Sequence, residues 1–205
     1  MLKSGLFIAF IALSSSVSAQ SFFLDGSAGA DIRRFSAEPE KSPFDGTATA
    51  FSFAAGTEFI RHWIVSAEID LGGRTTTSTT TDVVFSGRPL TIHNSYSAER
   101  RSVSVLGGYR SGVDRRWRMG FYAGVSFSTL QREIVSDAES VVLQSPAPGS
   151  VYEQRLTSAI VAVDVAIRVV PHFAIVPALR AQPLTIGTEL SGVSVRPSVG
   201  VRVFF

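Results

Sequence analysis

Apolar and polar residues alternate along most of this chain. Between positions 159 and 170, Ala159, Val161, Val163, Val165, Ile167 and Val169 share one side of an extended backbone; Ile160, Ala162, Asp164, Ala166 and Arg168 share the other. Between 117 and 130, Trp117, Met119, Phe121, Ala123, Val125 and Phe127 stand opposite Arg118, Gly120, Tyr122, Gly124, Ser126 and Ser128. Trp63, Val65, Ala67, Ile69 and Leu71 stand in the same way against Ile64, Ser66, Glu68 and Asp70. A repeat of two is that of a strand with one apolar face, and helical periodicity is nearly absent.

Eight such strands are predicted, near 22–35, 47–60, 63–76, 97–110, 116–132, 154–170, 173–183 and 193–205. The first sets Leu24, Ala28, Ala30 and Ile32 against Asp25, Ser27, Gly29 and Asp31. The seventh contains Pro177 and Pro183, which cannot donate to a ladder and read as bulge or rim positions. The connections alternate in length. Positions 61–62, 111–115 and 171–172 make short turns; 36–46, 77–96, 134–152 and 184–192 make long ones. The second long connection opens in a threonine tract, 75–81, read as solvated strand end and loop. An even number of strands, with short turns at one end and long loops at the other, is the pattern of a transmembrane β-barrel.

Alternation alone would also suit a soluble barrel with its apolar face inward. Three features favour apolar-out. The polar face is mostly small residues with a few charges, namely Asp25, Glu58, Glu68, Asp70, Arg118, Asp164, Arg168, Arg180, Arg196 and Arg202. A water face normally carries long Lys and Glu, yet the chain has only two lysines, Lys3 and Lys41. Small residues mixed with opposite charges fit the interior of a narrow eight-stranded barrel. Next, Phe59, Trp63, Tyr109, Trp117, Phe173 and Phe205 lie on the apolar face beside the short turns or at the C-terminus. In a barrel they form an interfacial aromatic girdle at one level. Last, spanning hydrocarbon takes ~9–11 tilted residues, and most of the segments are that long.

Composition narrows the class. The 205 residues suit one domain. The absence of cysteine rules out disulfides and thiolate chemistry. The net charge is +2 with scattered basic residues, so no nucleic-acid stripe is visible. The first nineteen residues stand apart. Lys3 precedes an apolar run from Gly5 to Leu13, and Val17 and Ala19 offer small residues before a cleavage after Ala19. Residues 1–19 therefore read as a secretory signal peptide, and 20–205 as the barrel domain.

The signal peptide, the strand 120–128 ("GFYAGVSFS") and the terminus 199–205 ("VGVRVFF") carry a resemblance. The chain resembles the small outer-membrane β-barrel proteins of Gram-negative bacteria, the group around outer-membrane proteins A and X and the porin-family, Omp25/31-like barrels. The resemblance implies a cell outer-membrane location, with outer-membrane lipid and lipopolysaccharide as surroundings. It also implies insertion by the outer-membrane assembly machinery. In that class the last strand ends in Phe with apolar residues at alternate positions, so Val199, Val201, Val203 and Phe205 would form the assembly signal.

No cofactor or metal is expected from the residue pattern. His62 and His172 read as solvated turn residues. His93, Ser95 and Glu99 vaguely resemble the His, Ser and acidic residue of outer-membrane lipid A deacylases, in which His activates Ser and a carboxylate orients the ring. They lack the extended motif expected around such a pair. The wall charges are the larger constellation. With strands paired in order and closed, Asp164, Arg168 and Arg180 lie on neighbouring strands six and seven. Arg196 and Arg202 of strand eight would face Asp25 and Asp31 of strand one across the closure, while Glu68, Asp70 and Glu58 need basic partners. Charges in a narrow lumen must pair or meet water. The sequence therefore predicts a plugged, non-enzymatic barrel with a structural or surface-interaction role, its long loops meeting a surface ligand. The alternatives are a narrow pore for small solutes and, third, a lipid A-modifying enzyme.

Overall fold

The structure, a computed structural model, describes residues 21–36, 45–59, 62–85, 88–111, 116–136, 151–186 and 190–205. The predicted signal segment lies outside them. Eight strands follow one another: β1 (Ser21–Ser36), β2 (Gly46–Phe59), β3 (Trp63–Phe85), β4 (Arg88–Ser111), β5 (Trp117–Ser136), β6 (Val151–Val170), β7 (Phe173–Ile186) and β8 (Leu190–Phe204). Each pairs antiparallel with its chain neighbours. β8 returns to β1, from Phe23–Phe204 to Ser36–Ser191, and closes the barrel as expected. Closure gives each strand two ladder neighbours, one of two ways to satisfy backbone groups in lipid.

The short turns knit one end together. Arg110 N donates to His62 O (2.8 Å) and Arg168 N to Arg116 O (2.9 Å). Phe204 N donates to His172 O, and Phe205 N to Phe22 O, each at 2.9 Å. The chain's last residue is thus anchored to the first strand.

Three expectations need correction. The stretch 77–96 is not a loop. β3 and β4 stay paired from Trp63–Tyr109 to Phe85–Arg88, with one register shift between Leu71 and Arg74. Threonine is β-branched and suits a strand, so the tract prolongs β3. β7 and β8 similarly stay paired to Ile186–Leu190, inside the stretch 184–192 read as a loop. The prolines of β7 are also not at a bulge. Pro177 and Pro183 lie opposite Val199 and Val193 in an unbroken β7–β8 register, and the bulge sits between Arg168 and Val170; on the other side the β6–β7 ladder has no pair at Pro177 and ends at Val161–Ala181, which leaves Pro183 at its rim.

Glycines make room where side chains cross the lumen. A Cβ at Gly56 would collide with the Phe23 ring, and one at Gly124 with the backbone of β4 at Val105. Here the requirement is space, because neither glycine has positive φ.

Candidate functional site

The outer wall comes first, because it sets what the lumen is insulated from. Side chains of one parity point outward in every strand, and they are apolar. Leu24, Phe53, Ile69, Val105, Phe121, Phe127, Val161, Ile175 and Val201 are all exposed. A soluble protein does not expose such a belt; a barrel in hydrocarbon requires it. At the short-turn end the wall carries Trp63 (52 % exposed), Tyr109, Trp117 (56 %), Phe173 and Phe205, with Phe59 half-buried. Trp63 and Tyr109 meet edge to face at 5.8 Å, and Phe22 meets Phe205 at 6.1 Å. Phe22 supplies an aromatic from β1 that the sequence reading omitted. Among residues named for the last strand, Val199, Val201 and Phe205 are exposed and Val203 half-buried on this outer face.

The outward apolar run ends on the long-loop side in charged residues. Arg101 holds Glu99 (2.8 Å), Arg155 holds Glu153 (3.1 Å), and Arg74 lies 3.5 Å from Glu133.

The lumen is built from the opposite parity, and its charges meet across the barrel. Arg202 Nη2 on β8 donates to Asp25 Oδ2 on β1 (2.7 Å) and to Asp164 Oδ2 on β6 (2.6 Å). The Tyr122 hydroxyl on β5 donates to the same Asp164 oxygen (2.8 Å) and accepts from Arg110 Nη2 (3.0 Å). Arg110 also donates to Glu58, as does Arg118. Higher up, Arg180 of β7 grips Glu68 of β3 through Nε (2.9 Å) and Nη2 (2.6 Å). Arg196 of β8 meets Asp70 of β3 at 2.5 Å, and Asp70 also accepts from Ser52 and Ser102. Asp31 accepts from Ser194 (2.6 Å) and lies 3.1 Å from Arg100 and 3.7 Å from Arg33.

These partners differ from several pairings that strand order suggested. Asp25 meets Arg202 across the closure as expected, but Arg196 reaches Asp70 instead of Asp31. Asp164 takes Arg202 rather than Arg168 or Arg180 of its own neighbourhood. Arg168 instead lies 5.0 Å over the Phe204 ring, with no carboxylate partner among the described residues. The lumen of an eight-stranded barrel is one side chain wide. An arginine therefore chooses the carboxylate at its own height, and the stagger of tilted strands decides which that is.

Three buried arginines escaped the sequence reading. Arg33, Arg100 and Arg110 are at most 2 % exposed. Parity could have found them: Arg33 follows Asp31 by two, and Arg100 and Arg110 share the face of Ser102 and Ser104. The lumen also holds apolar plugs. Phe23, Ile64, Leu106, Ile160, Val176 and Phe204 pack as one buried cluster, and Phe35, Leu156 and Leu184 form another. Arg202 lies 4.7 Å over the Phe23 ring, joining the charges to the first cluster. Between Asp25, Glu68, Asp164, Arg180 and Arg202 a cavity leaves about 20 Å3, room for roughly one water.

The His93 motif gains little. The backbone of His93 lies opposite Thr80 on the prolonged hairpin. Ser95 Oγ lies 3.4 Å from Ser78 Oγ, and Glu99 is held by Arg101. Among the described residues no cluster of three or more His, Cys, Asp or Glu could hold a metal ion.

No protein-family model matches the chain, and no curated protein matches it significantly. Solved structures do. OprG from Pseudomonas aeruginosa superposes with a TM-score of 0.57 at 14% identity, covering 92% of this chain and 97% of that one. Neisserial surface protein A gives 0.53 at 14% identity, covering 92% and 100%. Ail, the attachment invasion locus protein of Yersinia pestis, in complex with the heparin analogue sucrose octasulfate, gives 0.51 at 14% identity, covering 89% and 97%. The chain has the fold of the eight-stranded outer-membrane barrels, and its apolar outer wall suits the bilayer in which such barrels sit.

Proposed function

We propose that this protein is a closed outer-membrane barrel that serves the cell envelope structurally and through surface contact, and does not conduct solutes or catalyse a reaction. The filled lumen carries the reading. All six predicted wall carboxylates lie within 4 Å of an arginine, and most of these pairs cross the barrel. Aromatic and aliphatic side chains pack between them. Exchanging one ion-pair partner would leave those apolar plugs in place. A narrow pore is therefore the weaker reading, and the cavity between Asp25, Glu68, Asp164, Arg180 and Arg202 has the size of about one water.

The long-loop end supports the contact role. There β3 and β4 continue as a ribbon beyond the last β2–β3 pair, Ala50–Gly72. The likeness to the attachment invasion locus protein agrees with a barrel whose wall is passive and whose outer end makes contacts. Outer-membrane lipid and lipopolysaccharide surround the wall. The assembly machinery reads Val199, Val201, Val203 and Phe205.

Planar-bilayer recording of the refolded chain tests the plug. No steady openings are expected. Steady openings that vanish on substituting Arg202 or Arg180 would replace this reading with the pore.

A further inference from the structure

Where the apolar belt ends, the outer wall changes character on one side of the barrel. Ile69, Val103, Phe127 and Thr157 stand in one cross-strand row over β3 to β6. The next row toward the long loops is Leu71, Arg101, Thr129 and Arg155. The row after it is Arg74, Glu99, Gln131 and Glu153. Arg101 and Arg155 thus flank Thr129 from its two neighbouring strands, each about 5 Å away. Their side chains are 64% and 86% exposed. Outside β3 to β6, Arg34 of β1 is the one outward charge at this end among the described strand residues. Charges that merely solvated the rim would be spread around it.

The height of this row is that of lipid headgroups. Arg101 lies eight positions from Tyr109 of the girdle, and Thr129 lies twelve from Trp117. At about 3.3 Å per residue and a tilt of about 40°, these are ~20 Å and ~30 Å along the barrel axis. The outward apolar band of such barrels is about 25 Å tall, so the row straddles its outer edge. The arginines are held there by one atom each. Arg101 Nε donates to Glu99 (2.8 Å) and Arg155 Nε to Glu153 (3.1 Å). The Nη nitrogens of both guanidiniums have no hydrogen-bond partner among the described residues. Just beyond them a polar pocket of about 80 Å3 opens between Arg74, Glu99, Gln131 and Glu133.

From this we infer that the β4–β6 face is a seat for the phosphorylated sugar headgroup of lipopolysaccharide, with Arg101 and Arg155 gripping one phosphate over the Thr129 hydroxyl. A guanidinium fork matches phosphate oxygens bidentately. Two forks and a hydroxyl converge here on one anion, at the boundary where a lipid presents it. The glutamates on Nε leave each fork free and fix its direction. In the pocket above the phosphate, Glu99, Glu133 and Gln131 offer acceptors to sugar hydroxyls. Phosphate donors below and hydroxyl acceptors above suit a phosphorylated sugar better than a plain phospholipid. The inference deepens the reading that lipopolysaccharide surrounds the wall, by naming the face and the groups that hold it.

The test is native mass spectrometry of the full chain, refolded in detergent and titrated with diphosphoryl lipid A in the presence of EDTA. The wild-type barrel should retain the lipid. R101Q and R155Q should each weaken binding about tenfold, the loss of one charge-assisted contact. R34Q, on β1, should leave binding unchanged. Lipid A stripped of its phosphates, and phosphatidylglycerol at the same concentration, should each bind about tenfold more weakly than diphosphoryl lipid A. No retention by the wild type, wild-type affinity in R101Q and R155Q, or an equal loss in R34Q overturns the inference. Equal binding of the stripped lipid or of phosphatidylglycerol overturns it as well. Gel migration of each variant, boiled and unboiled, confirms that the barrel is intact, and bilayer recording judges the plugged-barrel reading separately.

Discussion

Arg202 shows how much a single lumen side chain does. One guanidinium, 3% exposed, neutralises Asp25 on β1 and Asp164 on β6 and lies over the Phe23 ring. Removing one partner from a buried pair leaves an uncompensated charge, which typically costs about 3–5 kcal/mol. Arg202→Met should lower the stability of the refolded barrel by that order, measured as a shift in its urea midpoint. Asp25→Asn should cost less, because Arg202 keeps Asp164. A wild-type midpoint for Arg202→Met would mean that the bridge contributes nothing net. Parity alone assigns Arg202, Asp25 and Asp164 to the lumen; it cannot say that the three meet. That depends on the height each residue reaches on a tilted strand, which is a property of the closed barrel.

At the scale of one element, β8 combines two roles on its two faces. Its lumen face sends Ser194, Arg196 and Arg202 to carboxylates on β1, β3 and β6. Its outer face carries Val199, Val201 and Phe205, with Phe205 N bonded to Phe22 O at the closure. Deleting Phe205 removes the last rung and the terminal aromatic together. Insertion in cells should fall more than for any single loop substitution, scored as folded protein in outer-membrane fractions; unchanged insertion would remove the assembly role from this residue. The alternation that makes β8 two-faced was readable at once. The prolonged β3–β4 ribbon was not, because a polar threonine tract without alternating apolar residues lacks the signal by which a half-buried strand is recognised.

The whole molecule is a sheet closed on itself, from which the β3–β4 hairpin runs on beyond the β2–β3 ladder. Closure turns the outward apolar residues toward lipid and encloses the lumen charges such as Asp31, Glu68, Arg110 and Arg202, so unfolding must break the ring as a unit. Boiling in detergent should therefore change gel migration markedly relative to the unboiled protein, as a compact barrel gives way to an extended chain. Identical migration before and after heating would count against the closed fold. The same closure accounts for the lumen plugs: Phe23, Ile160, Leu106 and Phe204 come from four different strands and meet only when the ring is complete.

By itself, the sequence determined the strand number, the two faces of most strands and the aromatic level. These follow from a side-chain period of two and from the chemistry of lipid against a narrow interior, both local to each strand. Tertiary structure alone decided which arginine meets which carboxylate, how apolar residues of lumen parity cap the charges, and how far the β3–β4 hairpin runs on beyond the β2–β3 ladder. Those outcomes depend on strand stagger and on side chains that reach across the barrel, distances that no single strand encodes.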